Sequence, residues 1–131
     1  MIGLDTNLLV RFFISDNPIQ FSKVEALLQS LTENQPGWVG LAVILELSWV
    51  LNKIYRIDKV GIEQILEDLL SRKEIVIEQA EVVRHALQIY RGATVGFADC
   101  LISSSAHAAG CVRTLTFDID AAKTAGMTLI T

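Results

Sequence analysis

Short apolar segments at Ile2 to Leu4, Trp38 to Gly40, Ile75 to Ile77, Val112 to Thr116 and Met127 to Ile130 recur between longer stretches with helical periodicity. This alternation constrains the fold most. Strands separated by helices cannot form tight hairpins, so they pair in parallel through crossovers. Apolar stripes at helical spacing mark the intervening segments. Examples are Val24, Leu27, Leu28 and Leu31; Ile62, Ile65, Leu66, Leu69 and Leu70; and Val82, Val83, Ala86, Leu87 and Tyr90. Further helices are expected from Thr6 onward, from Leu41 to about Tyr55, from Phe97 to Ala109, and from Ile119 to Ala125. Pro18 suits a first helical turn, and Gly110 and Gly126 suit helix ends. The sequence therefore predicts an α/β fold of three layers, α/β/α, with a mainly parallel central sheet flanked by helices. Repeats, low-complexity stretches and linker-like segments are all lacking, so residues 1–131 are expected to form a single domain.

Four acidic residues stand out against that frame: Asp5, Glu46, Asp99 and Asp118. Glu46 lies in Leu41-Ala42-Val43-Ile44-Leu45-Glu46-Leu47-Ser48-Trp49-Val50-Leu51, and its helical neighbours Ala42, Val43, Trp49 and Val50 are all apolar. It is expected to be buried, and a buried carboxylate must be met by a cation or by donors. Asp5 and Asp118 each follow a strand, where open α/β sheets place ligands. Asp99 falls in the first turn of its helix. Parallel strands would let all four converge at the strand C-terminal ends. Taken singly, Asp5 and Asp118 also suit helix N-caps, and Asp99 suits the positive end of a helix dipole.

Oxygen-only ligands without His or Cys suit hard cations such as Mg²⁺ or Mn²⁺. One or two such ions would make the cluster competent for phosphodiester hydrolysis. Thr6, Asn7, Ser103 and Thr116 are small polar residues nearby that can orient ligands or waters, or simply cap and close turns. The net charge of −4 comes from 15 acids against 11 bases, so setting the four acids aside leaves the chain neutral. The acidic excess equals the proposed site.

Several classes are disfavoured. Mean hydropathy is +0.42, yet no apolar run approaches the roughly 18–20 residues of a membrane-spanning helix. The start Met1-Ile2-Gly3-Leu4-Asp5 lacks a signal-peptide pattern, and a cytoplasmic location is expected. Cys100 and Cys111 show no metal-binding spacing and read as small buried hydrophobes. His85 and His107 each stand alone in a helical pattern. No Gly-rich phosphate loop is present. Thr6-Asn7 after Asp5 lacks the second Asp of a phosphatase pattern, and no Asp pair precedes Asp5 as in receiver folds.

The segments Ile2-Gly3-Leu4-Asp5-Thr6-Asn7, Glu46 in its apolar helix, Phe97-Ala98-Asp99 and Leu115-Thr116-Phe117-Asp118 resemble the PIN-domain ribonucleases. Within that family the chain looks most like the VapC-type toxins of bacterial toxin–antitoxin pairs, over essentially its whole length. The resemblance implies an Mg²⁺- or Mn²⁺-dependent endoribonuclease acting on structured RNA, such as tRNA or rRNA. It also implies a homodimer restrained by a small, DNA-binding, VapB-like antitoxin. Asp5, Glu46, Asp99 and Asp118 would bind the metal, Thr116 would support the site, and Asp120 is a weaker match. RNA also needs phosphate-binding cations, for which Arg11, Lys53, Arg56, Lys59, Arg84 and Arg91 are candidates. The alternative is a PIN-like scaffold that binds RNA or protein without cutting it.

Overall fold

The computed structural model describes Met1–Thr131, and its chain falls into two compact units, Met1–Glu78 and Gln79–Thr131. The first contains β1 (Ile2–Gly3), α1 (Thr6–Ile14), α2 (Pro18–Ser30), β2 (Gly37–Val39), α3 (Leu41–Lys53), α4 (Lys59–Ser71) and β3 (Ile75–Ile77). Its sheet has the order β1-β2-β3 and both pairings are parallel, with Ile2 opposite Gly37 and Trp38 opposite Val76. A Cβ at Gly37 would stand 2.7 Å from Leu4 Cδ1 and 3.0 Å from Leu31 Cδ1, so a side chain there would have to displace those leucines. The core of this unit draws on Leu9, Val39, Ile44, Leu47, Leu51, Ile62, Leu66 and Leu69, all fully buried.

Two polar devices fix the helices of the first unit. Arg72, just past α4, binds Asp68 at 2.8 Å and Glu74 at 3.2 Å and lies over the Phe12 ring of α1 at 5.0 Å. The Asp68 hydrogen bond is the main cause that raises the Arg72 pKa above its usual value, so this clasp stays charged. Helix α3 starts at Gly40, whose lack of a side chain leaves the first N–H groups without a local cap. Glu78, one residue past β3, supplies the acceptor: its Oε1 takes the Leu41 N–H at 2.8 Å.

The second unit contains α5 (Ala80–Gly92), α6 (Phe97–Ala108), β4 (Leu115–Thr116), α7 (Ile119–Thr124) and β5 (Thr128–Leu129). Strands β4 and β5 pair in parallel. Its core joins Val83, Ala86 and Leu87 of α5 to Cys100 and Leu101 of α6, and Tyr90 meets Phe97 edge-on at 5.6 Å. Buried Ser104 donates to the Val82 carbonyl at 2.7 Å, a polar lock between the two helices.

Three expectations need correction here. The strand expected over Val112 to Thr116 shortens to Leu115–Thr116, because Cys111, Val112 and Arg113 are exposed and pair with no strand. Cys111 is not a buried hydrophobe; it follows Gly110, whose φ of +94° turns the chain out of α6. The two histidines do not stand alone: their rings meet across α5 and α6. No helix is long and apolar enough to cross a membrane.

Candidate active site

Asp5 lies two residues past β1, exposed at the N-cap of α1, and its Oδ1 accepts the Thr6 N–H at 2.7 Å. The next residue carries the informative atom. Thr6 is 4% exposed and its Oγ1 has no hydrogen-bond partner. A buried hydroxyl left unpaired costs about 1–3 kcal/mol, so such atoms mark where water or a ligand completes the structure. Asn7 is exposed on the first turn of α1.

Glu46 is not buried, contrary to expectation. Helix α3 turns Ile44, Leu47, Ser48 and Leu51 inward, so Glu46 faces outward with Leu45 (40% exposed) and Trp49 (54% exposed). An almost wholly apolar helix has no sequence contrast to tell its faces apart. Its apolar neighbours are themselves at or near the surface, so the carboxylate bears no burial cost. Glu46 stands free of ion pairs and side-chain hydrogen bonds, and its position depends on α3, whose start Glu78 holds.

In the second unit, Asp99 is half-buried in the first turn of α6, beside inward-facing Cys100. Asp118 lies two residues past β4, exposed, and caps α7 through Oδ1 and the Ala121 N–H at 2.9 Å. Thr116 Oγ1 accepts the Asp118 N–H at 3.0 Å, which ties the end of β4 to the cap. Asp120 is exposed in the first turn of α7.

Each unit thus presents one aspartate just past a strand and one acid early in a helix, Asp5 with Glu46 and Asp118 with Asp99. Neither unit by itself gathers three His, Cys, Asp or Glu side chains at metal-binding spacing. Mg²⁺ does not require that, since it is commonly held by one or two carboxylates and keeps several waters. The oxygen-only donors and the unpartnered Thr6 hydroxyl fit such a hydrated ion.

The candidate RNA-binding cations separate into engaged and open groups. Arg11 is engaged: it binds Gln20 at 2.6 Å, Asp16 at 3.1 Å and the Tyr55 hydroxyl at 3.1 Å. The Tyr55 bond is the leading cause of its raised pKa. Arg84 is paired with Glu81. Lys53 and Arg56 are exposed near the end of α3, and Arg56 adopts a left-handed backbone with φ of 54°.

The PIN domain family model matches residues 2–127. The chain belongs to the PIN-domain family. The match spans both compact units of this PIN domain and takes in all four acids. The α/β/α class expected from the sequence holds, and every strand pair is parallel. Among known proteins, a VapC ribonuclease of Aquifex aeolicus (strain VF5) is 29% identical over 118 residues, covering 87% of this chain and 84% of its own. No solved structure gives a significant match. Two features of this PIN domain escaped sequence reasoning: the Glu78 cap on α3 and the unpartnered Thr6 hydroxyl. For the first, Gly40 shows in the sequence that the N-terminus of α3 has no side-chain cap of its own, but not which residue supplies the acceptor.

Proposed function

We propose that residues 1–131 act as one PIN domain that hydrolyses RNA phosphodiester bonds as a divalent-metal-dependent endoribonuclease. It is the cytoplasmic toxin of a toxin–antitoxin pair and acts on structured RNA, tRNA or rRNA. The observation that carries this reading is the PIN match across 2–127, which includes Asp5, Glu46, Asp99 and Asp118 together with Thr6, Asn7 and Thr116. Similarity to a VapC ribonuclease supports the choice of RNA and of the toxin role. The positions of Asp5 and Asp118 just past parallel strands, where α/β folds bind ligands, support the site.

In this reading Asp5, Glu46, Asp99 and Asp118 hold Mg²⁺ or Mn²⁺. Such an ion, when bound, lowers the pKa of a coordinated water and stabilises the leaving oxygen. The chain's own residues do the positioning. The buried Thr6 hydroxyl, adjacent in the chain to Asp5, has no protein partner. Thr116 fixes the backbone of Asp118, and Glu78 fixes the start of the helix bearing Glu46. Lys53 and Arg56 are the open cations for phosphate, whereas Arg11 is held by its three partners. A homodimer and a small DNA-binding, VapB-like antitoxin complete the reading.

The test is cleavage of tRNA and rRNA by purified protein with Mg²⁺ or Mn²⁺, then with chelator, beside Asp5→Asn and Glu46→Gln. Cleavage that needs the ion and is lost in both variants is expected. Activity surviving chelation or both substitutions would overturn the metal mechanism. RNA bound but left uncut by the unmodified protein would favour a non-catalytic scaffold.

A further inference from the structure

The packing of α5 against α6 brings together the chain's two histidines, which the proposed nuclease chemistry does not use. The ring centres of His85 and His107 are 5.6 Å apart with planes inclined at 52°, and both residues are exposed. His85 Nδ1 lies 3.1 Å from Ser104 Oγ. Ser104 is 1% exposed and gives its single hydroxyl proton to the Val82 carbonyl, so its oxygen can only accept from His85. Neutral His85 therefore carries its proton on Nδ1 and leaves the Nε2 lone pair open. Metal-ligating histidines are oriented in this way, by donating the other ring N–H to a fixed acceptor.

The spacing agrees. Zinc–imidazole bonds of about 2.0–2.1 Å place each ring centre about 3.2 Å from the ion, and a tetrahedral angle then separates two centres by about 5.2 Å. The observed separation is within a few tenths of an ångström of that value. His107 also occupies the last turn of α6, where the carbonyl end of the helix favours a cation.

We propose that His85 and His107 form a two-imidazole site for a borderline transition cation, Zn²⁺, Ni²⁺ or Cu²⁺, bridging α5 and α6, with water in the remaining positions. Imidazole selects these ions over Mg²⁺, so the site differs in chemistry from the carboxylates. Binding to the folded helix pair alone would also raise its stability by linkage.

The experiment titrates the full-length protein with ZnCl₂, NiCl₂ and CuCl₂, read by calorimetry and by thermal unfolding. With excess MgCl₂ present to occupy the carboxylates, one saturable site with a further rise in Tm is expected for at least one of the three transition ions. His85→Gln and His107→Gln should each abolish it, and both positions are exposed enough for the variants to fold. Ser104→Ala should weaken binding by about 10–100-fold through loss of the orienting bond. Cys111→Ser and Asp5→Asn should bind as the unmodified protein does. The absence of saturation with all three ions, or unchanged affinity in both histidine variants, would overturn the proposal. Loss of binding in Cys111→Ser would assign the ion to the thiol instead, and loss in Asp5→Asn would assign it to the carboxylates.

Discussion

The two units end a parallel strand in the same way, with an aspartate that caps the next helix, but they leave different remainders. At Asp118 the local polar groups find partners within the chain: Oδ1 meets the Ala121 N–H and the Asp118 N–H meets Thr116. The cap accounts for that geometry unaided. At Asp5 the cap is also made, yet the buried Thr6 hydroxyl beside it has no partner. One aspartate is explained by folding alone, and the other sits next to an atom that folding does not satisfy. The supporting helices differ too. Nine-residue α1 buries Thr6, Leu9 and Val10, whereas six-residue α7 buries only Ala121.

The largest expected effect is on packing. Leu47, fully buried in α3, should cost about 2–5 kcal/mol when replaced by Ala, measured by urea unfolding. Both tryptophans, Trp38 and Trp49, lie in the first unit, so their fluorescence reports that unit while far-UV circular dichroism reports both. Coincident transitions are expected for one cooperative domain, and separated ones would mean that the units unfold independently.

Catalysis comes next. Asp5→Asn keeps a good capping residue but removes a charge, so stability should hold while cleavage falls by about 10²–10³-fold, as for other groups that stabilise developing charge. Asp118→Asn is expected to show the same split. A rate for Asp118→Asn within a few-fold of the unmodified protein would make that residue a cap only, and would sharpen the contrast. Asp118→Ala removes the cap as well and should lose about 1 kcal/mol that the Asn variant retains.

Smaller effects separate the acids from their surroundings. Thr6→Val deletes the unpaired hydroxyl, so stability without metal should stay level or rise by up to about 1 kcal/mol. The stabilisation conferred by Mg²⁺ should shrink in the same variant, read as the change in Tm on adding the ion. A clear loss of metal-free stability would show that the hydroxyl is satisfied inside the protein. Glu46→Gln should move stability by no more than about 0.5 kcal/mol, as expected for an exposed residue without partners. A larger loss would indicate a structural role for Glu46.

The helices were legible because their stripes repeat at the helical period, and the observed ends lie within a few residues of those read from the sequence. The strand expected over Val112 to Thr116 is shorter in the structure because an apolar run shows capacity to pair, not the presence of a partner. The apolar neighbours of Glu46 suggest an interior position, yet the surface position of Leu45 and Trp49 shows that apolar company need not mean burial. The capping roles of Asp5 and Asp118 were visible as alternatives, since a cap depends on residues one to three positions away. The Glu78 cap was not visible, because it depends on β2 and β3 lying side by side.

By itself the sequence determined the alternation of elements, the parallel pairing that alternation imposes, and the identity of the four acids. All are consequences of local periodicity, chain connectivity and residue chemistry. Tertiary structure decided which face of α3 turns inward, and hence that Glu46 is exposed. It also left Thr6 without a partner and set His85 beside His107. Those outcomes depend on neighbours distant in the chain, and only packing determines which atoms meet and which polar atom remains unpaired.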